Sequence, residues 1–248
     1  IDNIGIKEGG IDYGLNITLD RPATLTPDTT LSFHIETDHL DEVDYDADAL
    51  AFGFTFSHYI NEKLSASVGL EYSYAEVADL SGDFLYRQLS LPLGVDWDSR
   101  DKPLDARKGT YLAAEIMPFQ GFGTTDSGVR LSLDGRAYKT FGEARPVTFA
   151  LRGQVGAVFG SDLLGTPRDY LFYSGGGGTV RGQPYQSLGI PLRKIATEDY
   201  KIGGKTFIGA SAEVRARVTE KIGIVGFFDA AHIGANDFLD DIGDWHAG

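Results

Sequence analysis

Five histidines, His34, His39, His58, His232 and His246, are the residues best suited to metal or proton chemistry. They do not cluster at metal-ligand spacing. There is no cysteine, so thiolate ligation and disulfides are both excluded. No Gly-x-Ser-x-Gly, no His-Glu-x-x-His and no phosphate loop is present; the glycines at 175–178 lack a following Lys-Ser or Lys-Thr. Carboxylates on the polar strand face could form an acid pair, but any many-stranded sheet with a polar face offers those. The reading is a chain that is not an enzyme and needs no metal or cofactor.

A different chemistry is offered by the stretch Tyr173-Ser174-Gly175-Gly176-Gly177-Gly178-Thr179-Val180-Arg181-Gly182-Gln183-Pro184-Tyr185-Gln186-Ser187-Leu188-Gly189. It sets one arginine in a bed of glycines, as if the backbone packed closely against something and delivered Arg181 to a fixed place. A guanidinium presents five donors in a planar fork that suits one or two carboxylates. The surrounding segment, residues 159–204, is long, and loops beyond ~15 residues without their own secondary structure are either functional or disordered. A solvated linker with a solvated arginine is the plain alternative.

The elements that must position this segment are legible as alternation. Ile11, Tyr13, Leu15, Ile17 and Leu19 alternate with Asp12, Gly14, Asn16, Thr18 and Asp20. The same period of two runs through residues 31–36, 50–57, 64–74, 88–97, 111–116, 129–137 and 147–155, then 208–218 and 222–229. These are ten strand candidates, and no helical period competes with them. Residues 11–158 should give eight sequentially paired antiparallel strands, with two more after the long segment. The 32 glycines and 12% aromatics agree with many strands.

Two architectures share this pattern. A soluble sandwich turns the apolar face inward, whereas an outer-membrane barrel turns it to lipid and lines its lumen with the polar face. The polar face mixes both signs, with Arg130, Asp134, Arg136, Arg152, Glu213, Arg215, Arg217 and Asp229, as a wet interior would. Short connections near residues 21–28, 59–63, 99–108, 142–146 and 219–221 alternate with longer, more acidic ones at 39–48, 75–83, 120–127 and 232–245. That asymmetry fits an outer-membrane barrel with its long loops outside. The acidic loops read as solvated surface, with divalent-cation binding as the minor alternative. A net charge of −14 argues against a nucleic-acid partner. With 42% hydrophobic residues and no apolar run of ~18, the chain has no helical span. It opens on Ile1-Asp2-Asn3 without a signal peptide and reads as a piece of a longer protein.

The stretch 173–189 resembles the sixth extracellular loop of the bacterial outer-membrane assembly barrels typified by BamA and TamA. Val180-Arg181-Gly182 is its signature, and the ending Tyr185-Gln186-Ser187 is closer to TamA. Asp98-Ser99-Arg100-Asp101 through Leu104-Asp105-Ala106-Arg107-Lys108-Gly109 is similar to a second family element, a turn opening the next strand. Asp98, Arg100, Asp101 and Gly109 are its key positions, and Ala106 stands where proline is frequent. Gln183 stands where most members have an aromatic. Phe227-Phe228-Asp229 resembles the family's Phe-x-Asp-x-Gly strand motif, with Ala231 in place of glycine.

The resemblance implies a sixteen-stranded transmembrane barrel preceded by periplasmic domains. Residues 1–248 would then be a partial, all-β antiparallel barrel of about ten strands, four to thirteen in the family's order, lacking the seam strands. Unpaired edges are expected at residues 11–20 and 222–230. The resemblance also implies that the loop folds back into the lumen and that Arg181 meets Glu213 and Asp229. Implied partners are outer-membrane lipid, client β-barrel or autotransporter proteins, and an inner-membrane or periplasmic component. The implied function is assembly or translocation of other proteins in the Gram-negative outer membrane by lateral opening and strand templating. A two-partner secretion pore for a large adhesin-like protein is the alternative, and a passive porin a more distant one.

Overall fold

The computed structural model describes residues 11–41, 45–79, 82–143, 145–195, 198–219, 222–236, 238 and 244–248. Alternating apolar and polar side chains, rich in β-branched and aromatic types, fit a pleated surface with two unlike faces. The chain accordingly forms strands β1 (Tyr13–Arg21), β2 (Thr29–Asp41), β3 (Tyr45–Asn61), β4 (Leu64–Asp79), β5 (Gly82–Ser90), β6 (Leu93–Asp98), β7 (Gly109–Gly121), β8 (Gly128–Phe141) and β9 (Val147–Phe159). A short 3-10 turn, Arg168–Tyr170, and the strands β10 (Ile190–Ile195), β11 (Glu198–Ile202), β12 (Thr206–Arg217), β13 (Gly223–Gly234) and β14 (Asp244–Ala247) follow. No described helix is long and apolar enough to cross a membrane, which says nothing of strands.

Twelve strands form one antiparallel sheet in the order β1-β2-β3-β4-β5-β7-β8-β9-β12-β13-β14, with β6 pairing β4 and β7. Among the described residues no pairing joins β1 to β14. The register keeps like faces together: Leu112 pairs with Gly135, Gly135 with Gly153, Gly153 with Ala210 and Ala210 with Ala230. One face is apolar and open. Phe52 is 48% exposed, Leu133 42%, and Leu151 and Phe228 60% each.

Several expectations are corrected. The strand expected at 88–97 is interrupted at Leu91 and Pro92, where Leu91 donates to the Pro118 carbonyl and the Pro92 carbonyl accepts from Gly69. Proline has no N–H for the ladder, so β5 and β6 share one place in the sheet. The connections expected at 39–48 and 75–83 are shorter, because β2, β3, β4 and β5 extend into them. Much of the acidic stretch at 232–245 lies outside the described residues. The edge expected at 222–230 is covered at its end, since β14 pairs β13 from Ala230 to Ile233. The segment 159–204 has secondary structure of its own: Phe159 belongs to β9, and β10 and β11 form an antiparallel hairpin.

The apolar core lies between this segment and the second face of the sheet. Leu171, Val180, Leu188, Ile190 and Ile202 pack with Phe207 of β12 and Ala231 and Ile233 of β13. A second cluster joins Tyr170 to Met117 and Phe119 of β7 and Val158 of β9. Burial at ~25 cal/mol per Å² of apolar surface makes these contacts one of the holds on the loop. Polar contacts then decide where its arginines sit.

Candidate functional site

The loop tip is a small folded unit. Ser174 and Leu188 exchange backbone hydrogen bonds of 3.0 Å, and the Gly175 N–H donates to Thr179 Oγ1 at 2.8 Å. Gly182 has φ +88, a left-handed conformation, and nothing lies within 4 Å of a Cβ built there. Its glycine is required by backbone torsion rather than by space.

This turn directs Arg181 at the sheet. Arg181 Nε donates to Asp229 Oδ2 at 2.8 Å and Nη2 to Asp229 Oδ1 at 2.9 Å. Its backbone N–H also donates to Asp229 Oδ2, at 3.0 Å, and Nη1 donates to Glu213 Oε2. The guanidinium carbon lies 3.8 Å from the centroid of the Phe227 ring. The Asp229 side chain has no exposure to water. Glu213 and Asp229 share a face because Glu213 pairs with Phe227 and Ser211 with Asp229 in the β12–β13 register. Hydrogen bonds to Asp229, and secondarily to Glu213, hold the Arg181 guanidinium well above the ordinary arginine range. The site is thus a fixed cation and two fixed anions.

Glu213 is shared with a second arginine, Arg215, which donates to it through Nε. The strand beyond also touches the loop. Asp229 and Gly248 exchange backbone hydrogen bonds of 3.0 and 3.1 Å, and a Cβ on Gly248 would stand 2.0 Å from the Arg181 carbonyl oxygen.

Sequence reasoning missed three further contacts with the loop. Arg152 donates to the Gly178 carbonyl at 2.6 Å. Arg130 Nε donates to the Tyr170 carbonyl at 3.2 Å, with its guanidinium 4.7 Å from the Phe172 ring centroid. Arg168 Nη2 donates to Asp79 Oδ2 at 2.8 Å. Alternation puts Arg130 and Arg152 on the polar face, but nothing in sequence marks backbone carbonyls as their targets.

The turn after β6 is a separate structure. Arg100 grips Asp98 through Nε at 2.9 Å and Nη2 at 2.7 Å, and donates to the Pro103 carbonyl at 3.1 Å. Asp101 Oδ1 accepts the N–H groups of Lys102, Arg107 and Lys108 at 3.1, 2.9 and 3.2 Å. Gly109 has φ +101, and a Cβ there would lie 2.2 Å from the Ser99 carbonyl. Asp98, Arg100, Asp101 and Gly109 are therefore brought together, away from Arg181. Among the described residues no three His, Cys, Asp or Glu side chains are grouped to hold a metal. His34 and His39 sit apart, each with its own carboxylate, Glu71 at 2.9 Å and Asp48 at 2.7 Å.

An antiparallel sheet with an open apolar face, and a loop folded over the polar one, is consistent with an outer-membrane β-barrel type of fold. The chain matches the Omp85 superfamily domain over residues 3–240. It belongs to the Omp85 superfamily, a family of outer-membrane proteins. Among curated proteins none matches it by sequence. Among solved structures it is similar to BamA from Haemophilus ducreyi lacking POTRA domains 1-3, with a TM-score of 0.72 at 15% identity over 89% of this chain. It is also similar to CdiB from Acinetobacter baumannii, with a TM-score of 0.54 at 14% identity over 95% of this chain. At these identities the likeness is one of fold. The chain spans 49% of each of those two chains, about half their length.

Proposed function

We propose that this chain is the wall and inner loop of a transmembrane barrel that assembles or translocates other proteins at the outer membrane. The observation that carries the reading is the loop position: Arg181 reaches Glu213 and Asp229 from a segment packed over the polar face. A passive porin needs a clear lumen, and a loop fixed there by apolar packing and ion pairs works against one. A membrane setting is supported by the apolar face, whose exposed Phe, Leu and Val side chains extend from β1 to β13.

In this reading the clients are outer-membrane β-barrel or autotransporter proteins, recognised by backbone pairing at a strand edge. Lipid covers the apolar face, and an inner-membrane or periplasmic component is a further partner. In this reading the role is TamA-like rather than BamA-like, on the sequence ending Tyr185-Gln186-Ser187. Arg181, Gly182, Glu213 and Asp229 fix the loop, while Asp98, Arg100, Asp101 and Gly109 set the turn that starts β7.

The test replaces the full-length protein in its host by Arg181→Ala and follows the appearance of folded client barrels and surface autotransporters. Loss of both with a normally inserted barrel supports the reading. Export of one soluble adhesin-like substrate, with barrel assembly untouched, would favour the two-partner secretion pore. Steady high conductance of the wild-type protein in planar bilayers would favour the porin.

A further inference from the structure

The long loop carries a second arginine that the family signature does not include. Arg168 opens the 3-10 turn at the root of the loop, and its guanidinium reaches Asp79, the last residue of β4, 89 positions away in sequence. The Asp79 side chain is 1% exposed. A carboxylate dehydrated to that degree is costly without a cation beside it, so the pair selects one loop position over others. The guanidinium also lies 4.6 Å from the Phe84 ring centroid and 5.8 Å from that of Tyr86, two rings of β5 stacked 5.9 Å apart. Tyr86 completes the hold by donating its hydroxyl to the Leu164 carbonyl at 3.0 Å.

The two loop arginines grip opposite parts of the wall. Arg168 holds β4 and β5, whereas Arg181 holds β12 and β13, and β7, β8 and β9 lie between them in the sheet. Arg168 pairs with Asp79, and Arg181 with Glu213 and Asp229, while Arg130 of β8 steadies the Tyr170 carbonyl between them. Distant sites act additively unless a shared shift couples them, so combining the two changes reads whether the grips are independent.

We propose that Arg168 and Asp79 form a second, independent lock that keeps the root of the loop inside the barrel, making the loop a strut fixed at both ends. This rests on reading the sheet as a barrel wall and the loop as lumenal. Release of Arg181 alone then frees the tip while the root stays in place. Clearing the lumen requires both ion pairs to break. Arg168 and Asp79 are positioning residues, acting on transport through the loop.

The experiment compares single-channel conductance and limited proteolysis of the full-length protein carrying Arg181→Ala, Asp79→Asn, both together, and both with Asp79→Arg plus Arg168→Asp in place of Asp79→Asn. Folding is checked by heat-modifiable gel migration. Arg181→Ala is expected to expose cleavage sites near residues 175–189 with a small rise in conductance. Adding Asp79→Asn is expected to raise mean conductance several-fold and open cleavage near residues 160–172. The reversed pair should return conductance to the Arg181→Ala level. The proposal is overturned if the double variant behaves as Arg181→Ala alone, or if the reversed pair stays as conductive as the double variant. Should Asp79→Asn not fold, Arg168→Gln removes the cation from the loop side and reads the same contrast. None of these readouts involves a client, so they stand or fall separately from the assembly reading.

Discussion

Arg152 of β9 holds Asp134 and the loop at once: Nη2 donates to Asp134 Oδ2 at 2.6 Å, and Nη1 donates to the Gly178 carbonyl at 2.6 Å. Asp134 in turn accepts from Arg136 at 2.7 Å, so a three-residue cluster on the wall fixes the direction of one donor. The target is a backbone carbonyl in the four-glycine run, which carries no side chain to shield it.

Arg152→Met keeps much of the aliphatic stem and removes the donor. A hydrogen bond from a charged group contributes about 1.5–3 kcal/mol. The expected outcome is faster proteolysis around residues 175–179, with the strands unaffected. Unchanged cleavage in this run would show that the Arg152 contact does not hold the tip.

The strands were readable because alternation is a property of single residues, and each apolar set from Leu15 to Phe228 does share one face. The interruption at Pro92 was readable in principle, since proline lacks the ladder donor, but the alternation of Leu89, Leu91, Leu93 and Val95 masked it. Extension of β2 and β3 past the apolar belt was not readable, because Asp38, Asp41 and Asp46 look like loop residues by composition. Strand pairing in an aqueous rim tolerates them. The contact of Arg181 with Glu213 and Asp229 required both alternation and a family resemblance. The contact of Arg168 with Asp79 left no trace in sequence, because it depends on where a long loop docks across the sheet.

The apolar face can be tested directly, because residues 1–248 contain no cysteine and an introduced thiol is unique within them. Cysteines at Phe52, Val68, Leu133 and Leu151 should react with a lipid-soluble reagent in membranes and resist a charged, water-soluble one. Cysteines at Ser132 and Gln154, on the other face, should show the reverse, slowed where the loop covers them. Equal labelling of both sets by the water-soluble reagent would remove the membrane assignment.

Gly109 is expected to be intolerant of any side chain. Its φ of +101 alone costs an L-residue roughly 1–2 kcal/mol. The Ser99 carbonyl, 2.2 Å from a Cβ built there, adds an overlap that only backbone movement can relieve. Gly109→Ala should lower the urea midpoint of the folded protein in detergent and slow formation of the heat-modifiable form. A midpoint equal to wild type would mean that the turn relaxes freely.

Asp101 makes the same turn pH-dependent. Backbone N–H donors, that of Arg107 foremost, hold its carboxyl below the ordinary value near 3.8. A depressed folded value stabilises the turn above the ordinary aspartate range and loses that contribution as pH falls through the depressed value. Amide exchange at Arg107 and Lys108 should therefore stay protected from neutral pH down to about 4, the ordinary aspartate range, and rise only below it. Asp101→Asn should show weak protection with no pH step. Loss of protection well above pH 4 in the wild type would contradict the assignment.

Arg181 carries the largest expected effect. Its fork spans two acids, Asp229 by two nitrogens and Glu213 by a third. Arg181→Ala removes contacts of roughly 1.5–3 kcal/mol each in kind. It also leaves Asp229, a fully buried carboxylate, without its main cation, which costs more than the lost bonds. Arg181→Lys keeps the charge but not the fork, so it should reach one acid and restore only part of the loop protection. Asp229→Asn should resemble Arg181→Ala less closely, because the amide still accepts a hydrogen bond and no uncompensated anion remains. The ordering wild type, Arg181→Lys, Arg181→Ala in both loop proteolysis and client assembly is the expected result. If Arg181→Lys matches wild type in both, a point charge suffices and the two-acid fork has no role; if Arg181→Ala does so, the loop is held without this ion pair, by its apolar packing and its other arginine contacts.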